Sequence, residues 1–286
     1  MGFELDENGR IQNINLSDYE DSTLEVTGIA KLYPAGFIVP YHRHKRYHLL
    51  YAEQGVMAVE SNRGRWVVPS SAAIWLRPMV EHQLIIQSQS RIYGILVNEN
   101  TKAHLPPDDG VLLVSPMLRE LISQITKVTP WDAASKRNAL VRALFLEELY
   151  LQPHLTFYLP LPTDKKMAEI CRRLVVAPAD TRGVEEWAKS LSVSEKTFQR
   201  HFIKQTGMTF GQWKQRLRLL SSITLLLAGN SIINTALESG YGSHSAYSTA
   251  FKKLFGVSPS HFIYSSLSNP RQAHGFNTSP RLPLVP

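Results

Sequence analysis

Residues 194–213, SEKTFQRHFIKQTGMTFGQW, and residues 243–262, SHSAYSTAFKKLFGVSPSHF, are one pattern written twice. Ser194, Phe198, Phe202, Gly207, Met208, Thr209 and Trp213 recur as Ser243, Tyr247, Phe251, Gly256, Val257, Ser258 and Phe262, in register at an offset of 49 residues. That agreement reads as a duplicated supersecondary unit. In each copy the serine suits a helix N-cap. The aromatic pair, four residues apart, anchors one face of the helix that follows.

Working outward, each copy is preceded by a short amphipathic stretch: Val184, Trp187, Ala188 and Leu191 in the first, Ile232, Ala236 and Leu237 in the second. A turn through Ser192-Val193, and another at Gly240, would make each a helix-turn-helix. With Phe198 and Phe202 inward, the first unit turns Ser194, Glu195, Lys196, Gln199, Arg200 and Lys204 outward. Long cationic and amide side chains on such a helix suit phosphate contact and base-edge hydrogen bonding in a major groove. The second unit presents Ser243, His244, Ser245, Ser248, Thr249 and Lys252, a face with few bidentate side chains. Sequence readout is therefore expected chiefly from the first. Between the two, residues 209–228 read as a helix of roughly 30 Å, near the roughly 34 Å between successive major grooves on one face of DNA.

Charge agrees. Residues 1–159 hold 15 Lys and Arg against 17 Asp and Glu, a balance of −2, whereas residues 160–286 hold 16 against 7, a balance of +9. A basic half beside a near-neutral half fits a nucleic-acid binder joined to a sensing domain.

The run SIINTALESGYGSHSAYSTAFKKLFGVSPSHF, and within it Gly240-Tyr241, Phe251-Lys252-Lys253 and Gly256-Val257-Ser258-Pro259-Ser260, resembles the DNA-binding domain of AraC/XylS-family bacterial regulators over residues 180–264. Thr235 stands where that family carries an aliphatic residue, and Ile263 where it often has Arg. The resemblance implies binding near promoters under control of an N-terminal domain.

Ahead of the helices, HLLYAEQ, VMAVES, RWVVP, AAIWL, HQLIIQS and RIYGILV form short strand-like runs between Thr23 and Val97, with turn chemistry at Gln54-Gly55 and Asn62-Arg63-Gly64. They predict an antiparallel barrel or jelly roll, so the chain as a whole is α+β. Gly36-x5-His42-x-His44-x3-His48-x6-Gly55 resembles the first cupin motif, with His48 where a Glu is usual, and Pro78-x3-His82 resembles part of the second. The resemblance would bring four imidazoles together, and neutral imidazoles suit Zn, Ni, Fe or Cu. The same histidines would equally serve as structural or effector-contacting groups.

Leu118, Leu121, Ile122 and Ile125, then Leu140, Val141, Leu144, Phe145 and Leu149, recur at helical spacing. Both stripes could pair with each other and offer a face to a second copy. The organisation expected is an N-terminal segment (1–22), a cupin-like sensor barrel (23–110), a helical dimerisation segment (111–155), a Pro-rich connection through Pro153, Pro160 and Pro162, a DNA-binding domain (164–264) and a disordered tail (265–286). No apolar run reaches the roughly 18 residues of a membrane span, the amino terminus is acidic and polar, and the single Cys171 leaves no internal disulfide, which together fit a cytoplasmic protein; the AraC/XylS resemblance implies a bacterial, nucleoid-associated one.

The function expected is an effector-responsive transcription regulator, not an enzyme and with no catalytic residues. Its expected partners are double-stranded promoter DNA, a small-molecule effector, a second copy of itself and RNA polymerase. A metal-dependent cupin enzyme with a helical appendage is the alternative. Two spaced recognition helices, which a soluble enzyme does not need, decide against it.

Overall fold

The computed structural model describes residues 17–128 and 135–267. Residues 1–16 of the expected N-terminal segment and 268–286 of the expected disordered tail lie outside them, whereas residues 265–267 of that tail are helical, as the end of the last helix (Pro259–Leu267). In chain order, a single helical turn α1 (Ser17–Glu20) precedes nine strands: β1 (Val26–Tyr33), β2 (Ile38–His42), β3 (Tyr47–Ala52), β4 (Val56–Ser61), β5 (Gly64–Pro69), β6 (Ala72–Leu76), β7 (His82–Ile86), β8 (Ser90–Val97) and β9 (Gly110–Leu113). Helices α2 (Pro116–Ile125) and α3 (Lys136–Leu151) follow, then two very short strands, β10 (His154–Leu155) and β11 (Tyr158–Pro160). The helical half contains α4 (Lys165–Val176), α5 (Val184–Ser190), α6 (Glu195–Thr206), α7 (Phe210–Leu227), α8 (Ile232–Glu238), α9 (His244–Phe255) and α10 (Pro259–Leu267).

The strands form two antiparallel sheets, β1-β8-β3-β6-β9-β10 and β11-β5-β4-β7-β2. The expected barrel is not closed. Proline has no N–H to give to a ladder, and the outer strands of the five-stranded sheet carry Pro40 and Pro160. The β2–β7 register also slips between Val39 and His42, and β10 is only two residues long. These edges cannot knit the sheets into one cylinder.

Alternation is weak in the central strands because both of their faces are covered. Leu50, Ala52, Ile74, Leu76 and Ile92 point between the sheets and join one apolar cluster. Their neighbours Leu49, Tyr51, Ala73, Trp75 and Tyr93 point outward, under Leu118, Leu121, Ile122, Ile125, Phe145 and Leu149 of α2 and α3. The side-chain period of two is intact, but strands buried on both faces read as continuous hydrophobic runs. The β3–β4 turn depends on Gly55, whose φ is +71° and whose added Cβ would lie 1.7 Å from Ser88 Oγ.

The expected Pro-rich connection is instead part of the sheets. β10 pairs with β9 and β11 with β5, so residues 154–160 add an edge strand to each sheet. The same segment fastens the helical half. Trp213 Nε1 donates to Pro160 O at 2.7 Å, Arg216 Nη2 to Thr156 O at 3.1 Å, and Thr156 Oγ1 to Leu254 O at 3.1 Å. Phe157 meets Phe255 and Phe262 edge-on, with centroids 5.2 and 6.3 Å apart.

Candidate nucleic-acid interface and histidine cluster

The helical half is built around α7, which buries Phe210, Trp213, Leu217, Leu219, Leu220, Ser222, Ile223 and Leu226. These positions go round the helix, because α7 packs against the five-stranded sheet on one side and the other helices on the other. Its 18 residues extend about 27 Å. α5 and α6 lie toward one end of it, α8 and α9 toward the other.

The two helix pairs share turn chemistry. After α5, Ser192 adopts φ +56° and Val193 N donates to Ala188 O at 3.1 Å; after α8, Gly240 adopts φ +77° and Tyr241 N donates to Ala236 O at 2.9 Å. Ser194 Oγ accepts from Thr197 N and Ser243 Oγ accepts from Ala246 N, each at 3.2 Å. Both helices end at left-handed glycines, Gly207 and Gly256. The second turn is one residue longer, with Gly242 inserted. The offset is therefore 48 residues from α5 to α8 and 49 from α6 to α9.

The expected contact residues divide by environment. Lys196, Arg200 and Lys204 are exposed at i, i+4, i+8 and form one basic stripe along α6, beside exposed Glu195. Ser194 and Ser243 are exposed, but their hydroxyls serve as caps. Gln199 departs from the expectation. It is half-buried, and its Oε1 accepts the Phe210 N–H at 3.3 Å, so its carbonyl caps α7 instead of facing outward. On α9, His244, Ser245, Thr249 and Lys252 are exposed, whereas Ser248 is half-buried with Oγ 3.4 Å from His244 Nε2. Leu237, expected inside α8, is 59% exposed, and Ala236 and Thr235 make that contact instead.

Among the strands the histidines do meet. His42 ends β2, His82 opens β7, and the two are register partners. His44 lies in the β2–β3 loop, held by Met79 N donating to His44 O at 2.7 Å, with Met79 itself at φ +63°. One ring nitrogen from each of His42, His44 and His82 lies within 4.8 Å of the others. His48 is not in that set. Its ring stands edge-on to His44 with centroids 4.4 Å apart, and it is buried.

The hydrogen bonds of these rings define their tautomers. His42 Nδ1 lies 2.7 Å from Pro40 O and His82 Nδ1 2.8 Å from Val80 O. A carbonyl only accepts, so each Nδ1 carries the proton. His44 Nδ1 bonds Glu20 Oε1 at 2.5 Å. Burial pushes the pKa of His42 down, His48 well down and His82 down to about 3; the neighbouring imidazoles add to this. The Glu20 contact carried no sequence signal, being 24 residues from His44. Arg46 secures it by donating to the carbonyls of Glu20, Ser22 and Leu24.

A cavity of about 350 Å³ lies where the sheets meet the helical half, lined by Arg65, Gln87, Leu159, Leu217, Thr224 and Glu238 among others. Thr224 Oγ1 donates to Gln87 Oε1 at 2.5 Å across the junction. Among the described residues no helix is long and apolar enough to cross a membrane.

Comparison with known proteins matches the family described as AraC-like ligand binding domain over residues 24–152 and the Helix-turn-helix domain family over residues 187–264. The HTH-type transcriptional regulator NimR of Escherichia coli K12 is 28% identical over 257 residues, 88% of this chain and 93% of that protein. The HTH-type transcriptional regulator RipA of Corynebacterium glutamicum is 33% identical over 126 residues, 44% of this chain and 37% of its own. Among solved structures, ToxT of Vibrio cholerae O395 aligns over 85% of this chain and all of its own, at 13% identity and a TM-score of 0.37.

Proposed function

Because this chain belongs to the AraC family of transcription regulators, with a ligand-binding domain ahead of a helix-turn-helix domain, we propose that α6 and α9 are its two recognition helices, held by α7 for successive major grooves of promoter DNA. The observation that carries this reading is the repeated unit: the same left-handed turn, serine cap and buried aromatic pair at both ends of one helix. The basic stripe of Lys196, Arg200 and Lys204 gives α6 phosphate contacts and one guanidinium for a base edge. The shorter side chains of α9 support backbone contact and weaker readout.

The effector site is the cavity between the halves. Its walls come from the sheet and from α4, α7 and α8, so an occupant touches the helix that spaces the two recognition units. Pockets of this kind favour such junctions.

A homodimer forms through α3. Of the two stripes expected at the interface, Leu118, Leu121, Ile125 and Phe145 are buried in this chain, which removes them from any partner surface. Leu140, Leu144 and Leu151 remain on one face of α3, at 62%, 43% and 69% exposure. The partner face is this narrower stripe.

The test uses the full chain. Binding to promoter fragments, measured at several salt concentrations, is expected to be specific over competitor DNA. Lys196→Ala should flatten the log–log salt slope by about one unit. A folded protein with no preference for any promoter fragment would overturn the proposal.

A further inference from the structure

His42, His44 and His82 lie at the end of β2, in the β2–β3 loop and at the start of β7, and each offers a nitrogen to one cluster. Their Nδ1 atoms are committed to Pro40 O, Glu20 Oε1 and Val80 O, which leaves Nε2 as the remaining ring nitrogen of each. His44 Nε2 and His82 Nε2 are buried with no hydrogen-bond partner, on side chains 6% and 1% exposed. A buried acceptor without a donor costs free energy. Here one ring nitrogen from each of the three histidines lies within 4.8 Å of the others, an arrangement that a cation bound between them relieves.

We propose that His42, His44 and His82 form a mononuclear site for a divalent first-row transition ion of the Zn2+ class, with Glu20 as the carboxylate that orients His44. Three imidazole nitrogens suit such ions, whereas Ca2+ and Mg2+ require oxygen ligands. The spacing is close to what is needed. Nitrogens at roughly 2.0–2.1 Å from a tetrahedral ion lie about 3.3 Å apart, so small ring rotations close a cluster that already lies within 4.8 Å. Each ligand has its second nitrogen fixed by a carbonyl or carboxylate, the outer-shell arrangement that sets tautomer and orientation. Three protein ligands leave a further coordination position for water or an oxygen of another molecule. His48, with ring centroid 4.4 Å from that of His44 and 5.6 Å from that of His82, lies outside the ligand set.

The site has a mechanical consequence. It joins the end of β2, the β2–β3 loop and the start of β7, and through Glu20 it reaches α1. Bound metal therefore holds residues 17–24 against the open edge of the sheets, together with the Arg46 bonds to Glu20, Ser22 and Leu24.

The full chain, prepared without an affinity tag and stripped with chelator, is titrated with Zn2+ against a chromophoric competitor, and with Co2+ by visible absorption. One ion per chain is expected, with a Zn2+ Kd below about 1 μM. His42→Ala and His82→Ala should each weaken binding at least about a hundredfold, and Glu20→Gln about 10–100-fold. His104→Ala, at an exposed histidine outside the cluster, should bind as wild type. Where His82→Ala fails to fold, His42→Ala and Glu20→Gln decide, since both positions are only partly buried. A wild-type chain that takes up no Zn2+ at micromolar concentration, or His42→Ala and Glu20→Gln binding as wild type, overturns the site.

Discussion

Alanine at Gln199 and alanine at Arg200 should have opposite signatures, although the residues adjoin on the same recognition helix. The first peptide N–H of α7, on Phe210, donates to Gln199 Oε1 at 3.3 Å. The next demands at that terminus are met internally: Gln212 N donates to Thr209 Oγ1 at 3.2 Å and Thr209 N to Gln212 Oε1 at 2.9 Å. Removing the Gln199 amide leaves the Phe210 N–H unpaired on a residue that is 2% exposed. A lost cap or orphaned donor of this kind costs about 1–2 kcal/mol. Each kcal/mol lowers the melting temperature by about 2–4 °C in a protein of this size. Arg200 is exposed, so its loss should move stability by less than about 0.5 kcal/mol. If it reads a base edge, its loss should weaken specific binding by about 1–3 kcal/mol, or roughly 5–150-fold. Thermal unfolding followed by circular dichroism, with fluorescence anisotropy on a labelled promoter duplex at fixed salt, measures both quantities for both variants. The reasoning fails if Gln199→Ala melts with the wild type yet loses tenfold or more in DNA affinity.

The two turns offer a second comparison. Ser192→Gly relieves a left-handed serine and should stabilise by up to about 1 kcal/mol, whereas Gly240→Ala should destabilise by about 1–2 kcal/mol, since its Cβ would also lie 3.2 Å from the Arg218 guanidinium carbon; melting shifts of the same sign in both would contradict this. Leu144→Glu should give a folded monomer by light scattering, whereas Leu121→Glu, at a position 7% exposed, should destabilise the chain; a Leu144→Glu dimer of wild-type strength would exclude the α3 interface. Burial raises the pKa of the Cys171 thiol strongly, and because the thiolate is the nucleophile, iodoacetamide at pH 8 should label it only after denaturant is added. Rapid stoichiometric labelling of the native chain would show that α4 opens readily.

Sequence alone determined whatever depends on neighbours a few residues apart. The serine caps, the aromatic pairs at i and i+4 and the glycine helix ends are local, and they recur, so the two repeated helix pairs of the helical half were legible. Six of the strands were legible for the same reason. Tertiary structure decided which faces are covered. Covering both faces of the central strands hid their alternation, and two edge prolines, far apart in the chain, kept the sheets from closing. A connection rich in proline became two edge strands because β5 and β9 happened to present free edges to it. Gln199 reads as outward in the sequence, but α7 brings the Phe210 N–H to its carbonyl, 11 residues on. The histidine motif indicated which rings would meet, but not that Glu20, 24 residues away, would hold one of them, nor that His48 would stand outside the set. A hydrogen bond across such a distance is set by the path of the whole chain, and no local spacing encodes it.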